Sequence, residues 1–150
     1  MGETFSLRLE KVISGPIEEV FDAWLDPASL GRWMIPGPGG SAEAKTDPVV
    51  GGKFRIMMKL DQAEILHHGE YHVIRRPEKL VFSWNSPYSD NTLVTVDFER
   101  LSARSTRVVL THELFPEAAV MESHRQGWGF ILSGFEQDVA ATKTGARDGG

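Results

Sequence analysis

The chain has no cysteine among its 150 residues. That excludes a disulfide framework, a thiol nucleophile and a thiolate metal site together. It has no run of about 18 apolar residues, so nothing in it reads as a membrane-spanning helix. The N-terminus, MGETFSLRLEK, lacks an apolar h-region, which predicts no signal peptide. Basic clusters are also missing. Apart from the Arg75-Arg76 pair the 16 lysines and arginines include no cluster, and the formal net charge is −5. A nucleic-acid groove or an anionic membrane surface requires a basic stripe, so neither is expected as a partner. GPGGSAE, residues 37–43, lacks both the Walker lysine and the spacing of a dinucleotide loop. VISGP is not a nucleophile elbow, and no Ser–His–Asp set follows from spacing. The expectation is a cytoplasmic protein without a cofactor or metal.

What is present is a patterned chain of single-domain size. We expect one domain over 1–150 with an ordered core at about 5–140. Phe5, Leu7 and Leu9 alternate, which predicts a first strand over 5–13. Ser14 or Gly15 then offers a helix cap, with Pro16 in the first turn. Ile17, Val20, Phe21 and Trp24 follow on one helical face. Asp26-Pro27 repeats the device for a second short helix carrying Leu30 and Trp33 inward, and PGPGG at 36–40 ends it as a loop.

From residue 42 to about 114 the period is two. Phe54, Ile56, Met58 and Leu60 share a face, as do Leu80, Phe82 and Trp84. Val94, Val96 and Phe98 form a third such row, and Thr106, Val108, Leu110 and His112 a fourth. This is the signature of an antiparallel sheet with one packed face and one wet face. Gly51-Gly52, RPEK, PYSDN and SARS supply turns. Val120 or Met121, His124, Gly127 or Trp128, Ile131, Phe135 and Val139 then make a helical stripe of five or six turns. Gly127, Gly129 and Gly134 cost that helix about 1 kcal/mol each relative to alanine, unless close approach of another element compensates. TGARDGG, at the C-terminus, has no pattern. The architecture expected is α+β: one strand, two short helices, about six more strands, and a long helix covering a curved antiparallel sheet. A helix lying across a curved sheet need not fill the concavity, so a pocket between them is expected.

VFDAWLDPASLGRW, GGKFR, HHGEYHVI, PEKLVFSW, VTVDFE, TRVVLTHELF and HRQGWGFIL together resemble, in order, the Hsp90 ATPase activator homologue-1-like family. The resemblance covers roughly residues 5–140. It implies the helix-grip fold of the START/Bet v 1-like superfamily, with a ligand-sized cavity between sheet and helix. That superfamily includes lipid and hormone carriers, polyketide cyclases and co-chaperone domains, so fold leaves function open. The extra N-terminal domain of the eukaryotic activator is not expected here.

ILHHGEYHVI, residues 65–74, holds three of the five histidines. On a strand His68, Glu70 and His72 point one way, and His67 and Tyr71 the other. Histidines four apart on a strand stand about 13 Å from each other, too far to share one zinc. His68, Glu70 and His72 are therefore expected on the wet face. His67 sits in the more apolar row, and the resemblance often places a histidine there; a bulge at Gly69 would exchange the faces. His112 and His124 are expected to anchor strand to helix, or to offer polar groups at one end of an apolar pocket. HE at 112–113 is not a zincin motif.

Three functions remain open. The first is a small-molecule-binding module for an apolar or aromatic ligand with one or two polar groups. Its candidate site is Trp33, Phe54, Ile56, Met58, Tyr71, Phe82, Trp84, Trp128 and Ile131, with His67, His112 and His124 as polar contacts. Trp33 borders the 36–40 loop, a candidate lid. The second is a cyclase- or dehydratase-like enzyme using a pocket histidine or Tyr71 as acid–base group. The third, resting on the resemblance alone, is a co-chaperone or stress-response interaction protein. A homodimer is left open.

Overall fold

A computed structural model of the chain describes residues 2–149, with side chains through residue 141. The elements run β1 (Phe5–Ile13), α1 (Ile17–Asp22), α2 (Pro27–Trp33), β2 (Ser41–Thr46), β3 (Lys53–Leu60), β4 (Ala63–Arg75), β5 (Lys79–Ser86), β6 (Ser89–Ser102), β7 (Ser105–Phe115) and α3 (Ala118–Gly149). All seven strands form one curved antiparallel sheet in the order β1-β7-β6-β5-β4-β3-β2. The two short helices carry the chain from one edge strand, β1, to the other, β2. Helix α2 packs against β2, and Thr46 Oγ1 donates to the Leu25 carbonyl at 2.8 Å.

Local chemistry explains the short helices. Asp26 caps α2 by accepting from the Ser29 amide at 2.9 Å, and Pro27 occupies the first helical position. The expectation for α1 needs correction. Neither Ser14 nor Gly15 caps it; Pro16 takes the cap position and no side chain bonds the helix start. Proline has its φ preset for that place, and the first N–H groups of a helix lack internal partners in any case. The long helix also continues past the last apolar stripe residue, through the TGARDG tail to Gly149; Gly150 lies outside the described residues.

Alternation translates directly into the packed face. Phe54, Ile56, Met58, Leu80, Phe82, Trp84, Val94, Val96, Phe98, Val108 and Leu110 are buried, and His68 and His72 are exposed on the other side. Pairing of β3 with β4 is regular from Lys53–Glu70 to Leu60–Ala63, so no bulge occurs at Gly69. The irregularity lies between Tyr71 and Val73, against β5. His67, Gly69 and Tyr71 therefore share the packed face. Glycine is needed at 69, since a Cβ there would meet the Ser83 carbonyl oxygen and the Phe54 ring, which lies over the glycine.

Helix α3 covers this face. Its C-terminal half is held by Phe135 against Trp33 and Trp24, with ring centroids 4.4 and 5.7 Å away. Arg32–Asp138 at 3.0 Å and Lys11–Glu136 at 3.3 Å tie it to α2 and β1. The N-terminal half sits over β3, β4 and β5 and is packed less completely.

Candidate functional site

The incomplete packing leaves a cavity of about 370 Å³ between the N-terminal half of α3 and the sheet. Met58 of β3, Ile65 and His67 of β4, and Trp84 and Ser86 of β5 form one wall. Ala119, Val120, Ser123, His124, Gly127, Trp128 and Ile131 form the other, at the three- and four-residue spacing of one helical face. Pro36 and Tyr88 complete the rim.

Six of the twelve candidate residues meet here: Met58, His67, Trp84, His124, Trp128 and Ile131. The other six do not line this space. Phe54, Ile56, Tyr71 and Phe82 lie on the same sheet face but pack with Trp24, Leu30 and Met34 around a void of about 10 Å³. That is barely one water, so they are core. Trp33 is also core. It is buried, and its Nε1 donates to Ser29 Oγ at 2.9 Å. The 36–40 loop reaches the rim through Pro36 instead. His112 lies behind the wall.

His112 holds that wall in place. Trp128 Nε1–H donates to His112 Nδ1 at 2.9 Å. An indole nitrogen can only donate, so His112 Nδ1 must accept and its proton sits on Nε2. Nε2 then donates to Thr92 Oγ1 at 2.8 Å, and the threonine hydroxyl donates to the Trp84 carbonyl at 2.7 Å. The chain of bonds joins α3 to β7, β6 and β5 with every member satisfied. Burial holds the His112 imidazole down at about 2, with His124 and His67 adding to the effect. It is neutral at any ordinary pH.

His124 uses Nδ1 to donate to the Val120 carbonyl one turn back, at 2.9 Å. As a neutral ring it presents Nε2 as an acceptor, whose one hydrogen-bond partner among the described residues is Ser89 Oγ at a long 3.5 Å. Burial lowers its basicity as well. His67 packs on the Trp84 ring at 4.9 Å, and burial pushes it down to about 4. The carbonyls of Ile65 and Ile56 oppose that shift without forming a bond of good geometry, so Nδ1 is left unpartnered. Trp84 Nε1 is unpartnered too. Two residues of one wall thus carry a buried polar atom with no protein partner, a state that costs about 1–3 kcal/mol each.

Some wall residues had a legible signal. Val120 and Gly127 lie on the helical stripe, and Ile65 lies in the His67 row. Ser86 continues the Leu80, Phe82, Trp84 row, and Tyr88 had no signal, because PYSDN reads as a turn. Gly127 and Gly129 correct a second expectation. No element approaches either, since an added Cβ would meet nothing within 4 Å; only Gly134 has a neighbour, the Trp33 carbonyl at 3.7 Å. No group of three or more potential metal ligands occurs among the described residues. No described helix is long and apolar enough to cross a membrane.

The family model described as Activator of Hsp90 ATPase homolog 1-like protein matches residues 14–140. The chain belongs to this family. Solved structures agree on the helix-grip fold. A Chromobacterium violaceum protein is 24% identical with a TM-score of 0.81, covering 89% of this chain and 96% of its own. An AHSA1-like protein from Aeromonas hydrophila is 26% identical, TM-score 0.80, covering 93% and 94%. An HSP90 activator from Plasmodium falciparum is 29% identical, TM-score 0.71, covering 90% and 96%. No curated protein matches.

Proposed function

We propose that this AHSA1-like protein binds a small apolar molecule in the cavity beneath the N-terminal half of α3. The observation that carries the reading is the cavity itself: about 370 Å³, walled mainly by apolar side chains. That volume lies within the usual range of ligand sites, and a predominantly apolar lining is usual for them. Binding is the better reading than acid–base catalysis. His112 has both nitrogens engaged and stands behind the wall, and burial raises the Tyr71 hydroxyl well above its ordinary value.

The test is thermal unfolding of the protein against fatty alcohols, fatty acids, sterols, flavonoids and polyketide-like aromatics. A ligand at about 100 times its Kd adds roughly 2.7 kcal/mol, a rise of several degrees in Tm for a domain this size. A selective rise supports the reading. Absence of any rise, in protein shown to be folded and empty, refutes it.

A co-chaperone role has support from the family and from the P. falciparum activator. Stimulation of a purified Hsp90 ATPase by the protein would establish it, and no stimulation at saturating concentration would dismiss it.

A further inference from the structure

The sheet has a second concavity, on its outer face. Along β3 Phe54, Ile56 and Met58 turn inward and are buried, so Arg55, Met57 and Lys59 turn outward. Register sets them between Glu43 and Lys45 of β2 on one side and Glu64, Leu66 and His68 of β4 on the other. A groove of about 280 Å³ lies among these side chains, His68 excepted.

Its charges are sorted along its length. At one end Lys59 stands 3.7 Å from Glu43 and 3.7 Å from Glu64, so both carboxylates serve one ammonium group. At the other end Lys45 and Arg55 are direct cross-strand neighbours, and neither forms an ion pair among the described residues. Like charges placed directly opposite each other on neighbouring strands lower stability. His68, on the far side of Arg55, brings no negative charge, and Glu70 stands opposite Lys53 instead. Between the two ends Met57 and Leu66 lie side by side, half-buried, as an apolar floor.

The spacing along this groove is that of an extended chain. Arg55 and Met57 are two residues apart on a strand, roughly 6.6 Å at about 3.3 Å per residue, and alternate side chains of any extended peptide repeat at the same interval. An arginine fork can take a carboxylate through two parallel bonds, and the lysine opposite adds a third donor. A space of about 280 Å³ falls slightly below the usual range for a small-molecule site, which favours side chains of another chain over an enclosed ligand.

We propose that the outer face of β2–β4 docks an extended acidic segment of a partner protein, with a carboxylate between Lys45 and Arg55 and an apolar side chain, two residues on, against Met57 and Leu66. The groove and the cavity under α3 lie on opposite faces of the sheet, so either can fail without the other.

The test titrates the ¹⁵N-labelled full chain with the acetylated, amidated peptide Ser-Glu-Thr-Leu-Thr-Ser and follows the backbone amides by NMR. Two copies of the peptide serve as controls, one with glutamine for glutamate and one with serine for leucine. Saturable shifts should centre on Lys45, Arg55, Met57 and Leu66. Affinity should fall about tenfold with the glutamine copy, and as much in the Lys45→Gln, Arg55→Gln double variant, since two exposed ion pairs are lost. Both side chains are exposed and repel each other, so the double variant should unfold at the parent temperature or above it. No shifts, shifts confined to the cavity wall, or equal affinity for the glutamine copy would overturn the proposal. Equal affinity for the serine copy would overturn the apolar contact. Inorganic phosphate producing the same shifts at the same concentration would mark a simple anion site and overturn docking of a peptide.

Discussion

Gly127→Ala and Gly129→Ala form a matched pair whose comparison separates the stability of α3 from the use of its cavity. Both positions lie in a long helix, and an added Cβ at either meets nothing within 4 Å. Neither substitution should clash, so each should gain the full difference in helix propensity, about 1 kcal/mol. For a chain of 150 residues that corresponds to a rise of roughly 2–4 °C in Tm. The two differ in where the methyl goes. Gly127 lines the cavity and Gly129 does not. Gly127→Ala should therefore stabilise the protein and weaken a ligand that fills the space, whereas Gly129→Ala should stabilise it equally and leave binding unchanged. Urea or thermal unfolding measures the first quantity, and titration of a fatty alcohol such as decanol measures the second. A fall in stability at either position would refute the packing argument. Equal binding in the two variants would show that the space beside Gly127 is not used.

Replacing His112 by alanine should cost about 3 kcal/mol or more in urea unfolding, since it orphans Trp128 Nε1 and leaves a hole behind the wall; a loss under about 1 kcal/mol would contradict the bond chain. Stability should also fall on mild acidification. His67 and His112 are held near 4 and 2 when folded, against an ordinary value of about 6.5, so below that pH the unfolded chain takes protons the native protein refuses. Their contribution is fully present above about pH 6.5 and declines as pH drops toward 4, by up to about 1.4 kcal/mol per pH unit for each histidine. Unfolding free energies measured at pH 7, 6 and 5 check this, and a flat profile would refute neutral burial.

The fold was readable because two devices act locally. Asp26-Pro27 carries its own cap and preset φ, and the period-two rows name the packed face strand by strand. The site was readable only in part, and the reason is physical. Alternation says which side chains turn inward, not whether the space they face is filled. Phe54 and Met58 stand on the same face of β3, yet one packs on Tyr71 and Phe82 and the other borders the cavity. The difference arises from how far along the sheet α3 is packed down, which depends on Trp33, Phe135 and the Arg32–Asp138 pair, far away in sequence. Tyr88 reaches the rim from a turn, where periodicity carries no information. Gly127 read as a defect in a helix because its cost is local and the open space beside it is not.

The Thr92–His112–Trp128 chain also constrains how this protein can vary by descent. Changing His112 alone strands an indole N–H, and changing Trp128 alone strands an imidazole nitrogen, so each single step passes through a less stable molecule. Replacing both by phenylalanine removes donor and acceptor together, and Thr92 keeps the Trp84 carbonyl as its partner. Homologues should accordingly carry histidine and tryptophan as a pair or lack both, with mixed forms scarce. Such coupled inheritance would be visible in an alignment at two sites separated by 16 residues.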